Sequence, residues 1–98
     1  MDLFQAAKYN STQKLKTLIE EDKMDVNTVD EYGYTALMYG VHYGHERVVE
    51  LLLHYGADAN IQNELGGTAY NMTLSIFNAF NTNNNIKMLL EKYKINQQ

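Results

Sequence analysis

The stretch Asp30-Glu-Tyr-Gly33-Tyr-Thr35-Ala36 returns 33 residues later as Asn63-Glu-Leu-Gly66-Gly-Thr68-Ala69, and Asp25-Val-Asn27 returns at the same distance as Asp58-Ala-Asn60. Two separate landmarks sharing one period are hard to obtain by chance, and such a period marks a chain built from stacked supersecondary units. What lies between the landmarks decides the unit. Thr35 precedes the apolar run Ala36-Leu-Met-Tyr-Gly-Val41, and its hydroxyl can accept from the free amides of a first helical turn. Gly44 then stands where a left-handed residue closes that helix. A second helix is predicted from about His45 to Tyr55. Its Val48, Val49, Leu51, Leu52 and Leu53 cover more than one stripe, so it needs neighbours on several sides. Gly56 ends it, and Ala57-Asp-Ala-Asn60 leads in extended form to the next turn. The unit is helix, turn, helix, hairpin-like loop.

Working outward, a degenerate copy precedes this unit at a shift of 34. Leu3, Ala6 and Ala7 take the places of Leu37, Gly40 and Val41, while Leu15, Leu18 and Ile19 match Val49, Leu52 and Leu53, with one residue inserted near Asp22 to Met24. A third copy follows at a shift of 37, with Ile86, Met88, Leu89 and Leu90 matching Val49, Leu51, Leu52 and Leu53. Its four extra residues fall in Asn78-Ala-Phe-Asn-Thr-Asn-Asn-Asn85. That run is rich in a residue that favours turns over helix interiors and is predicted to be a lengthened, mobile loop. The expectation is one all-α domain over 1–98, with units of about 1–29, 30–62 and 63–98.

Thr35-Ala-Leu-Met, Gly44-His45, Val48-Val49-Glu-Leu51-Leu52-Leu53 and Gly56-Ala57-Asp58-Ala-Asn60 closely resemble, in order and spacing, the consensus of the ankyrin-repeat family. The resemblance is strong over 30–62, partial over 63–98 and weak over 1–29, as expected of a stack whose end units are atypical. It implies a solenoid of antiparallel helix pairs whose projecting loops form a concave surface, and a role in binding another protein. The chain also departs from the family pattern. Ala36 and Ala69 stand where Pro is usual after the capping threonine, and Met38 and Asn71 replace a histidine two places further on. The family's internal Thr-to-His hydrogen bond is therefore lost, and modest stability is expected. Unit three has Tyr70 for the usual Leu and Thr73-Leu74 for two Ala, so its inner helix should pack differently.

Composition narrows the partner. The chain has 98 residues, 45% hydrophobic and 20% charged, the make-up of an ordinary folded domain with a thin core. Net charge is -4, which offers no source for the phosphate neutralisation behind nucleic-acid binding or for attraction to anionic lipid. Cysteine is absent, which removes disulfides and thiolate chemistry and points to an intracellular, cytoplasmic protein. Neither an export signal nor a run of about 20 apolar residues is read in the sequence.

No residues assemble into a convincing reactive centre, and an enzyme is not expected. His42-Tyr-Gly-His45 sets two histidines three apart, as on a metal-binding helix face, but Gly44 should end the helix between them and no third ligand is evident. The resemblance gives His45 a structural hydrogen-bonding role. Asp25-Val-Asn27-Thr-Val-Asp30-Glu-Tyr-Gly33 fails as a calcium loop, because Val29 sits at the fifth place and Asp30 at the sixth, where a ligand and a glycine are required. Asp30 and Asp58 are better read as turn residues that bond nearby amides. No metal or cofactor is expected.

Eight tyrosines and no tryptophan are the informative excess. Tyr32 and Tyr34 flank Gly33, and His42 with Tyr43 ends the inner helix, positions that in the resembled family face the groove. Amphipathic aromatic side chains provide much contact area at low entropic cost and dominate binding hot spots. The same positions in neighbouring units add Lys8 and Tyr9, Glu31 beside Tyr32, and Glu64 with Leu65. These nine residues are the candidate partner-binding set, while Tyr39, Tyr70 and Tyr93 are assigned to packing between units. The competing reading is a homodimer formed through the third unit, where Ile76, Phe77 and Phe80 could be left uncovered. A metal-binding or enzymatic protein built on His42 and His45 is a distant third.

Overall fold

Each inner helix begins at a side chain that satisfies one of its free amides. In the computed structural model, which describes residues 2–73 and 82–96, Asp2 and Gln5 form a reciprocal box. The Gln5 amide donates to the Asp2 carboxylate at 2.8 Å and the Asp2 amide to the Gln5 side chain at 3.0 Å, opening α1 (Leu3–Lys8). Thr35 accepts from the Met38 amide at 3.2 Å and opens α3 (Ala36–His42). Thr68 does the same for Asn71 at 3.1 Å ahead of α5 (Ala69–Thr73), so the cap recurs at the period read in the sequence. The outer helices are α2 (Thr12–Glu20), α4 (Glu46–His54) and α6 (Thr82–Asn96).

Between the inner and outer helices the chain must reverse in a few residues, which requires a left-handed residue. Gly44 supplies it with φ 71°, and in the first unit Asn10 does so with φ 60°, asparagine being among the side chains that tolerate this region. The His45 amide returns to the Gly40 carbonyl at 2.9 Å and the Ser11 amide to the Ala6 carbonyl at 2.8 Å, so the two turns are built alike. The inserted residue of the first unit is absorbed after α2. There Met24 closes on the Leu18 carbonyl at 3.0 Å, whereas Ala57 closes on Leu52 at 3.0 Å with one residue fewer between them.

The helices form two layers. α1 packs on α3 and α3 on α5, α2 packs on α4 and α4 on α6, and each inner helix also packs on the outer helix that follows it. Leu3, Leu15, Leu37, Val41, Val48, Val49, Leu52, Ile86 and Leu90 are buried between the layers. The described residues are all-α, with six helices and no strand. A single antiparallel bridge between Val29 and Thr35 closes the loop ahead of α3. α4 is buried along Val48, Val49, Leu52 and Leu53, as a helix gripped from several sides requires, and it starts at Glu46 because His45 serves as its cap residue.

One expectation is corrected. The stretch Asn78–Asn85 was expected to be loop throughout, yet Thr82, Asn83, Asn84 and Asn85 lie in the first turns of α6. A helix start is where asparagine is best tolerated, and the Asn85 amide group donates to the Glu46 carboxylate at 3.2 Å, tying α6 to the head of α4. The rest of that stretch, with Ile76, Phe77 and Phe80, falls outside the described residues.

Candidate functional site: a tyrosine-lined groove

The loops that carry the candidate site are built by one acceptor each. The Asp30 carboxylate accepts from the amides of Tyr32 and Tyr34, both at 2.9 Å. The Asn63 side-chain oxygen accepts from those of Leu65 and Gly67 at 2.9 and 3.0 Å. Each loop is also closed along its backbone, by the Asp30 amide on the Tyr34 carbonyl and the Asn63 amide on the Gly67 carbonyl, both at 2.9 Å. The Glu64 amide donates to the Tyr32 carbonyl at 3.1 Å and pins one loop beside the other. Asp25 and Asp58 bond the amides of Asn27 and Asn60 in the same manner, and the Asn27 side chain reaches the Asp58 amide at 2.8 Å. The aspartates read as turn residues hold turns.

Against these two loops the end of α3 forms one wall of a groove of about 480 Å³. Tyr32, Tyr34, Glu64 and Leu65 line it from the loops, and Tyr39, His42 and Tyr43 from the helix. Of the nine candidates, six come together here. Tyr32 is 57%, Tyr43 46% and Leu65 91% exposed, an unusual display of large apolar surface on a single edge. Tyr34 is half-buried and packs against the core as well as facing the groove, its ring tilted over Tyr39 at 5.3 Å. Lys8, Tyr9 and Glu31 do not line this volume. Lys8 places its ammonium 5.5 Å from the centre of the Tyr39 ring, while Tyr9 and Glu31 are exposed nearby in the sequence of turns.

Tyr39 is the residue that the sequence reading left out. It is half-buried against the core, as its assignment to packing expected, but it also floors the groove. Its position four residues before Tyr43, the residue that caps the end of α3, puts the two on the same side one turn apart, and that spacing was the available signal. The Tyr39 hydroxyl donates to the Asp30 carboxylate, and Phe4 meets its ring edge-on at 6.0 Å. Burial alone pushes the Asp30 carboxyl upward, but the Tyr39 hydroxyl and the amides of Tyr34 and Tyr32 outweigh it and hold Asp30 below the ordinary aspartate value. Burial first, then the Asp30 hydrogen bond and charge, raise the Tyr39 hydroxyl well above the ordinary tyrosine range. A fixed, ionised Asp30 therefore underpins the floor of the groove.

The His45 Nε2 lies 3.0 Å from the Lys8 carbonyl and links the first two units. Its ring stacks with Tyr43 at 6.2 Å, and His42 meets Tyr43 edge-on at 4.9 Å. Among the described residues no group of three or more His, Cys, Asp or Glu could hold a metal ion, and no helix is long and apolar enough to cross a membrane. A second groove of about 400 Å³ runs along the outer helices, where Lys16, Arg47, Glu50, Leu51, His54 and Tyr93 line it with charges of both signs.

The stacked helix pairs, the recurring threonine caps and the paired loops have their counterpart in a known pattern, that described as "Ankyrin repeats (3 copies)", which matches residues 3–63. The chain belongs to the ankyrin-repeat family. It is 39% identical over 62 residues to ankyrin repeat domain-containing protein 29 of Danio rerio, a match covering 63% of this chain and 21% of that protein. It is 33% identical over 61 residues to the human ankyrin repeat and SAM domain-containing protein 3, covering 62% of this chain and 9% of that protein. It is 34% identical over 61 residues to the human NAD-capped RNA hydrolase NUDT12, covering 62% and 13%. The match thus spans about a fifth or less of the length of each of these relatives. Ankyrin repeats generally mediate contacts between proteins, and the family is generally non-enzymatic.

Proposed function

We propose that this chain is a protein-binding module whose partner lies in the groove between the Tyr32 and Leu65 loops and the end of α3. The supporting observation is the convergence of exposed Tyr32, Tyr43 and Leu65 on one edge, held there by hydrogen-bonded loops rather than by burial. The helical units about 1–29, 30–62 and 63–98 supply the scaffold, and the three-unit stack serves to present that edge. Net charge -4 favours a protein over nucleic acid or an anionic membrane as the occupant, and a chain without cysteine suits the reducing cytoplasm. We assign it no catalytic role, as the family is generally non-enzymatic and the His45 Nε2 is engaged with a backbone carbonyl.

The test is capture from a lysate of the source cell by the intact domain and by a Tyr32→Ala, Tyr43→Ala, Leu65→Ser variant. None of the three side chains is buried in the core, so thermal stability should change little, and it is matched between the two proteins before capture is compared. Tyr34 is spared because it packs against the core. A protein held by the intact domain and lost by the variant supports the groove. Equal capture by both removes it from consideration.

A further inference from the structure

We infer that the partner inserts a cationic side chain, arginine or lysine, of an extended segment into this groove; the inference rests on the groove being the binding site. The surfaces around the volume are four tyrosine rings, one imidazole, a leucine and the Glu64 carboxylate, and among the described residues no lysine or arginine lines it. A tyrosine face is electron-rich and attracts a cation placed within about 6 Å of its centre. A carboxylate at the edge of such faces adds charge complementarity, which steers and orients a cationic group more than an aliphatic one.

The molecule already shows this attraction once. Lys8 sets its ammonium 5.5 Å from the Tyr39 ring centre, with the ionised Asp30 bonded to the hydroxyl of the same tyrosine. Among the described residues no cation is placed over Tyr32 or Tyr43, although both are exposed. Glu64 is exposed too, and its own amide is held by the Tyr32 carbonyl at 3.1 Å, so the carboxylate is carried on a loop tethered to one of the rings. Glu31 occupies the matching place on the preceding loop. An apolar segment would satisfy Leu65 but leave this acidic, aromatic side unmatched. An acidic one would be repelled by Glu31, Glu64 and a chain of net charge -4.

The experiment is an NMR titration of the isotope-labelled 98-residue chain with three blocked pentapeptides, Gly-Ser-X-Ser-Gly, in which X is arginine, norleucine or glutamate. The expected result is that the arginine peptide moves the amide signals of Tyr32, Tyr43, Glu64 and Leu65 with millimolar affinity, at least about three-fold tighter than norleucine, while glutamate moves none. Glu64→Gln should weaken the arginine peptide about two- to five-fold. Tyr32→Leu with Tyr43→Leu, which keeps apolar area but removes the ring faces, should abolish the preference for arginine over norleucine. If norleucine binds as well as arginine at the same amides, the cation is wrong and the groove stands. If no peptide moves these amides, or shifts gather on α2, α4 and α6, both the cation and the groove are overturned.

Discussion

Gly33 and Gly66 hold the same left-handed conformation, φ 78° and 81°, yet they do different work. A Cβ on Gly66 would meet nothing within 4 Å, whereas one on Gly33 would lie 3.0 Å from the Glu64 nitrogen and 3.1 Å from the Asn63 Cα. The glycine is what allows the second loop to settle against the first and present Leu65 beside Tyr32. Gly66→Ala should cost about 1 kcal/mol, the strain of a side chain at positive φ less the entropy it removes from the unfolded chain. Gly33→Ala adds a backbone collision and should cost at least about 2 kcal/mol. Urea denaturation of the pair checks this, and equal losses would contradict the close approach. Asp30 makes a second prediction at this scale. Its folded pKa lies below the unfolded value, so its contribution to stability is present above about pH 4 and is lost as pH falls through the depressed folded value. Asp30→Asn should fold, since Asn63 performs the same loop closure without charge, and its stability should decline less than the parent's on acidification below pH of about 4. Parallel acid-denaturation curves would argue against the assigned role.

At the scale of elements, most of the stack was legible because helix starts and stops are local chemistry. Thr35 and Thr68 cap where a threonine before an apolar run should, and the shift of 34 over Leu3 to Leu18 against Leu37 to Leu52 is met by burial of both sets. The third unit was harder to read, because its shift changes to 37 and asparagine is shared by loops and first helical turns. Hence Thr82–Asn85 was misplaced; of the four pairs read at that shift, Ile86 and Leu90 are buried as Val49 and Leu53 are, but Met88 is exposed where Leu51 is half-buried and Leu89 half-buried where Leu52 is fully buried. The candidate groove was legible in its loop residues and at the end of α3. Tyr39 was missed although its spacing from Tyr43 was readable; what no helical periodicity encodes is the bond of its hydroxyl to Asp30 across the loop. Two substitutions test the element-level account. Leu52→Ala removes a fully buried side chain from α4 and should cost roughly 2 to 5 kcal/mol; a loss below about 0.5 kcal/mol would deny it a place in the core. Lys23, on the segment that absorbs the insertion after α2, sits at φ 57°. Lys23→Gly should therefore stabilise by a few tenths to about 1 kcal/mol, strain relief exceeding the entropic cost. A net loss in thermal unfolding would contradict that.

For the whole molecule, two layers of helices leave a thin core, so the proposed binding edge depends on neighbouring units staying registered. The links that hold register are polar and cross from unit to unit: His45 on the Lys8 carbonyl, Asn27 on the Asp58 amide, the Tyr32 carbonyl under Glu64, and the Tyr55 hydroxyl on Glu20. They tie the turns and loops of neighbouring units together; the groove edge carries the exposed Tyr32, Tyr43 and Leu65, and α6 carries an exposed Met88. These two surfaces separate the protein-binding account from self-association. The most direct measurement places a photoreactive benzoylphenylalanine at Leu65 in one sample and at Met88 in another and irradiates each in lysate of the source cell. A groove that binds a different protein predicts a heterologous adduct from position 65, suppressed by Tyr32→Ala with Tyr43→Ala, and none from position 88. An adduct between two copies of this chain from position 88, with nothing from position 65, would contradict it.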